Sequence, residues 1–120
     1  MFAKKTIALT GAFLLTACLF VAQATRLDGT WEGKMDREGQ IETLTFQFHA
    51  KDNGFTGKVF RNGEEFGDIA NAKVDGNKFS FKADVVSFDG TLEGDQLKVT
   101  VTVMNGNKFY CTASRKKAAG

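Results

Sequence analysis

From residue 29 onward, apolar and polar side chains alternate along the chain. Thr45 and Gln47 separate Leu44, Phe46 and Phe48, and Ser80 and Lys82 separate Phe79, Phe81 and Ala83. Leu97, Val99, Val101 and Val103 alternate with Lys98, Thr100 and Thr102. A period of two sends successive side chains to opposite faces, so each run predicts a strand with one face in a core and the other in water. No stretch beyond the first 24 residues places apolar residues at helical spacing between capping residues, so no long helix is predicted. Asp52-Asn53-Gly54, Asn62-Gly63, Asp75-Gly76-Asn77, Gly94-Asp95 and Asn105-Gly106-Asn107 interrupt the runs. Asn-Gly and Asp-Gly pairs supply the positive φ angles that tight hairpins need. The pattern predicts strands over 29–35, 40–49, 55–61, 66–74, 78–84, 86–93, 96–104 and 108–115, about 11 residues per strand and turn.

Eight hairpin-linked strands with one apolar face have to hide that face. Closing on themselves does so and removes the exposed edges. The predicted fold is therefore all-β, an eight-stranded antiparallel up-and-down meander barrel, with a two-sheet β-sandwich as the alternative. The inward phase carries Trp31, Leu44, Phe46, Phe48, Phe55, Val59, Ile69, Val74, Phe79, Phe81, Phe88, Leu92, Leu97, Val99, Val101, Val103, Phe109 and Cys111. An eight-stranded barrel is just wide enough for side chains to fill it, or to hold one small ligand. This set reads either as a filled core or as an aromatic-lined pocket open at one end. Gly33, Gly57 and Gly90 on the same phase either leave space or mark bends.

The first 24 residues read differently. Lys4 and Lys5 precede an apolar run from Ile7 to Ala22, and Ala22-Gln23-Ala24 has the small-x-small form of a signal-peptidase site. The run is shorter than the roughly 20 residues of a membrane span. The predicted organisation is a signal peptide over 1–24 and a single barrel domain over 25–120, exported to the periplasm or secreted. A second processing pattern overlaps it. Leu15-Thr16-Ala17-Cys18 resembles the lipobox of bacterial lipoproteins, which would lipidate Cys18 and anchor the protein to a membrane. Cleavage after Ala24 leaves Cys111 as a lone thiol, to be either buried or paired with another chain.

Charge and composition remove several function classes. The chain has 16 Lys and Arg against 14 Asp and Glu, and Lys4 and Lys5 account for the whole excess. A neutral domain is not expected to bind nucleic acid or an anionic membrane surface. One His and two Cys are too few for the usual zinc sites, so no metal or cofactor is expected. His49 falls on an outward phase with no partner for general-base work. Glu64, Glu65 and Asp68 form the densest acidic cluster, at a hairpin, and read as a solvated turn. No catalytic constellation is visible, and the protein is not expected to be an enzyme. Phe60, Phe66 and Tyr110 fall on outward or turn positions.

Two positions add a family likeness. Gly29-Thr30-Trp31 opens the first strand, and Arg115, in phase with Cys111 and Ala113, ends the last. This resembles the calycins (lipocalins, fatty-acid-binding proteins and avidins), in which a G-x-W on the first strand lies under a basic residue from the last. The short strands are most similar to avidins and to small lipocalin-like domains of bacterial exported proteins. The resemblance implies barrel closure by Gly29, Trp31 and Arg115. It also implies a small hydrophobic ligand at the open end, with Trp31, Phe46, Phe81, Phe88 and Phe109 as contacts. The alternative is a filled barrel acting as a protein-interaction, inhibitor or envelope accessory domain through hairpin loops such as 62–67.

Overall fold

The computed structural model describes residues 25–52 and 54–116. The predicted signal peptide, with its cleavage site after Ala24 and the lipidation site Cys18, lies outside the described residues. Eight strands follow one another: β1 (Gly29–Arg37), β2 (Gln40–Lys51), β3 (Gly54–Arg61), β4 (Glu64–Asp75), β5 (Lys78–Ala83), β6 (Val86–Glu93), β7 (Gln96–Thr102) and β8 (Lys108–Arg115). Each pairs antiparallel with its chain neighbours, and β1 pairs with β8, so the sheet closes into an up-and-down barrel and not a sandwich.

Where strand limits differ from the sequence pattern, hydrogen bonding explains the shift. β1 runs past its last apolar residue to Arg37, which pairs with Gln40, and β2 continues to Lys51, which pairs with Gly54, because the ladders continue through polar positions. Their turn is Glu38-Gly39, with φ of 54° and 90°; Glu at a positive φ is not a turn signal. β7 stops short of residue 104 because Val103 N–H donates to the Asn107 carbonyl at 3.0 Å, which draws it out of the ladder into the turn. β4 carries two bulges. One falls opposite Val59 and Phe60 and makes Phe66 the extra residue; the other lies between Ala70 and Lys73, where Asn71 has φ 55°. The first bulge corrects the outward or turn position read for Phe66, which is half-buried against the core.

The interior is packed with rings. Phe46, Phe48, Phe55, Phe79, Phe81 and Phe88 are each 4% exposed or less. Phe81 and Phe88 stack with centroids 4.7 Å apart, and Phe48 meets Phe55 at 4.8 Å. Phe46 presents edge-to-face contacts to Phe81 at 6.1 Å and to Phe88 at 5.9 Å, geometries that the ring quadrupole favours. The inward glycines do not open space. Phe79 lies over Gly90, its partner on β6, so closely that a Cβ there would fall 2.2 Å from the ring. At Gly33 a Cβ would fall 2.3 Å from the Thr112 carbonyl oxygen across the β1–β8 seam.

One end of the barrel is closed by a helical turn over 25–27. Leu27 is buried there, and Trp31 Nε1–H donates to its carbonyl at 2.8 Å. The Arg115 guanidinium lies over the indole, 4.2 Å from its centroid. It also donates to the carbonyls of Arg26, at 2.6 Å, and Asp28. Gly29 lies directly beside it, where a Cβ would fall 2.9 Å from Nη1. Cys111, on the inner face of β8, is buried, and burial pushes its thiol up to about 11.

Arg115→Ala should lower unfolding free energy by about 1–3 kcal/mol, because it removes one stacking contact and two charge-assisted hydrogen bonds, each weakened by the exposure of the guanidinium. Arg115→Lys should recover less than half of that, because a point charge cannot stack and bridge two carbonyls together. Urea melts of both variants would show it, and full recovery by Lys would mean that only the charge matters. Gly90→Ala should cost about 1–3 kcal/mol by displacing the packed Phe79 ring; an unchanged midpoint would mean the ring moves aside freely. Cys111 keeps its proton in both states below its ordinary value of 9.0, and between there and about 11 only the unfolded chain releases it. Stability should therefore fall as pH rises through that window. The fall should be smaller in Cys111→Ala when alkaline urea melts are compared.

Candidate functional site

The end opposite Trp31 is built differently. The inward phase of β1 passes from Trp31 through Gly33 and Met35 to Arg37, and that of β2 runs back from Phe48 through Phe46 and Leu44 to Glu42. Met35 and Glu42 are direct partners in the β1–β2 ladder. Val59 and Arg61 come from β3, and the bulge of β4 turns Phe66 toward them. Val86 and Phe88 of β6 and Val101 of β7, with Val103 just beyond, complete the wall. Together they enclose a cavity of about 110 Å³ at the mouth of the barrel.

Glu42 dominates the chemistry of this mouth. It is 7% exposed, the only buried charged residue among those described. Its Oε2 lies 3.5 Å from Arg37 Nη2, an ion pair too long for a strong hydrogen bond. Its Oε1 is buried without a hydrogen-bond partner. The second cation at the rim, Arg61, has its guanidinium 5.5 Å from the centroid of the Phe66 ring. A buried oxygen left unpaired in this way costs roughly 1–3 kcal/mol, and more when it carries charge. The mouth therefore combines an apolar wall, one buried unpaired acceptor and two cations at its edge.

The residues singled out from the sequence are distributed along the barrel. Phe46, Phe81 and Phe88 meet at its middle, and only Phe88 reaches the cavity. Trp31 lies at the closed end with Gly29 and Arg115. Phe109 is half-buried beside Arg37 and Val103, in a separate surface hollow on the β7–β8 side of the mouth. The five rings therefore do not line one continuous pocket. Met35, Arg37, Glu42 and Arg61 were not singled out. Their signal was phase: Glu42 stands two residues before Leu44, Arg37 two after Met35, and Arg61 two after Val59.

Elsewhere the polar candidates are at the surface. Lys58 Nζ lies 3.0 Å from both Asp68 Oδ1 and Glu65 Oε1, so the acidic cluster is partly neutralised on the outer face. The hydrogen bond to Asp68, followed by that to Glu65, raises the Lys58 pKa. His49 and Tyr110 are exposed on the outside of the barrel. Among the described residues no three His, Cys, Asp or Glu side chains gather into a metal-binding group.

No protein-family model and no curated protein matches the chain. Among solved structures, one described as a redesigned beta barrel matches with a TM-score of 0.55 and 20% sequence identity. The match covers 79% of this chain and 96% of that one. At this identity the similarity concerns the fold alone, and that fold is the small closed β-barrel described above.

Proposed function

We propose that this chain is an exported, non-enzymatic binding module of calycin type that takes a small, largely apolar ligand at the mouth of its barrel and not deep inside. The observation that carries the reading is the cavity beneath Arg37 and Arg61, left open where the ring packing ends at Phe88. Ligand pockets for whole drug-sized molecules run to about 300–1,000 Å³. A cavity of about 110 Å³ takes one end of a ligand or a very small molecule whole. Gly29, Trp31 and Arg115 hold the far end shut in the manner of the calycin motif. The charged, apolar and small-residue segments of 1–24 support export.

A second reading rests on the rim. Val85 and Met104, in the β5–β6 and β7–β8 turns of this same end, are 57% and 81% exposed, and Ile41 beside the β1–β2 turn is 59% exposed. Apolar side chains placed there suit a protein partner docking over the mouth.

Two of the three methionines separate the readings, because Met35 lines the cavity and Met104 projects from the rim. The experiment is a titration of protein carrying ¹³C-methyl methionine with a graded series of small apolar molecules. A saturable shift of the Met35 methyl with Met104 unmoved is the expected result. If no member of the series moves Met35, the binding-module reading fails. A shift confined to Met104 when a co-purifying protein is added would favour the rim.

A further inference from the structure

We infer that Glu42 selects the ligand: its Oε1 accepts a hydrogen bond from an N–H or O–H group on a small apolar molecule seated in the mouth. This rests on the binding reading above and names the chemistry of its ligand. An ionised carboxylate is an acceptor only, so each of its oxygens needs a donor. The Glu42 side chain is nine-tenths buried, with 9% of its surface exposed, and Oε1 has no partner among the described residues. Its closest cation, Arg37, approaches Oε2 instead. The second, Arg61, is placed against Phe66. Met35, Leu44, Val59, Phe88 and Val101 around the cavity have no side-chain donor at all. No described residue supplies the missing donor, which leaves it to a molecule in the cavity.

Oε1 itself lies beneath the cavity surface, so a donor reaches it when the Glu42 carboxylate turns into the cavity that its side chain lines, and water is the default donor there. At roughly 30 Å³ per molecule, the cavity holds about three. A ligand that displaces them keeps the hydrogen bond only if it brings its own donor, and one without a donor leaves a desolvated carboxylate behind. The apolar wall, with Leu44, Val59 and Val101, sets the rest of the preference, for an aliphatic body.

Three probes with one branched body test the inference: isobutanol, isobutylammonium and isobutyl chloride, the last lacking a donor. Dissociation constants are read from the Met35 methyl signal in the full chain. Isobutanol and isobutylammonium should bind about tenfold or more tightly than the chloride. Glu42→Leu should abolish that preference while leaving the chloride bound, and its melting point should not fall, because an unpaired buried charge has been removed. Glu42→Gln keeps an acceptor in place. It should retain the preference for the alcohol and weaken the ammonium alone, which guards against a Leu variant that does not fold. Equal affinity for all three probes in the unmodified protein overturns the inference and leaves the binding module standing. So does a preference that survives Glu42→Leu. Binding of none of them overturns both.

Discussion

The structure depends on the seam between β1 and β8. In a meander these are the two strands with an unpaired edge, and unless they meet, the row of inward rings lies open to water. Their register pairs Trp31 with Arg115 and Met35 with Cys111. Between those pairs, Gly33 faces Ala113 so closely that the seam has no room for a β-carbon on the β1 side. The register also fixes where Arg115 emerges. Its guanidinium crosses to Trp31 and takes up two backbone carbonyls of the turn that caps this end. The last strand is thereby tied to the segment that precedes the first, and chain closure and end closure become one event.

From that end inward, the packing follows. Trp31 is buried beside Leu27, and its indole N–H is satisfied by the Leu27 carbonyl. Beyond it the six phenylalanines occupy the middle of the barrel in edge-to-face and stacked contacts, with Gly90 yielding its own side-chain volume to the Phe79 ring. Such a core is stiff, because close-packed rings do not collapse or expand by small amounts. The two ends then differ in kind. At the closed end the polar groups of Trp31 and Arg115 have partners; at the mouth a buried carboxylate oxygen does not.

What could be read from the sequence followed from how evenly a strand is buried. β2, β5, β6 and β7 each have one wet face and one dry face, so strict alternation exposed them and gave the barrel its strand count. β4 was harder. Two bulges break its phase, so that its apolar residues Phe66, Ile69 and Val74 fit no single period of two. The turn at Glu38-Gly39 had no Asn or Asp to mark it. The ring set was visible as inward-facing, but whether rings fill a barrel or line a pocket depends on how they stack across strands, which a one-dimensional pattern does not encode. Glu42 was legible in principle and hidden in practice, because hydrophobic runs are counted from their apolar letters, and this run begins at Leu44.

At the start of β2, the apolar Ile41 faces water at 59% exposure while its neighbour Glu42 faces the interior at 7%. Both would be better placed if the order were reversed, by the burial of one aliphatic side chain and the solvation of one carboxylate. A shift of strand register would exchange them, but only by turning Leu44, Phe46 and Phe48 outward as well. Three buried residues outweigh one misplaced pair, so the fold tolerates Glu42 without being able to correct it. Violations of local pattern that a protein keeps at a cost in stability are expected at functional positions. The location fits that rule: the misplaced carboxylate lies at the end left open by the ring packing.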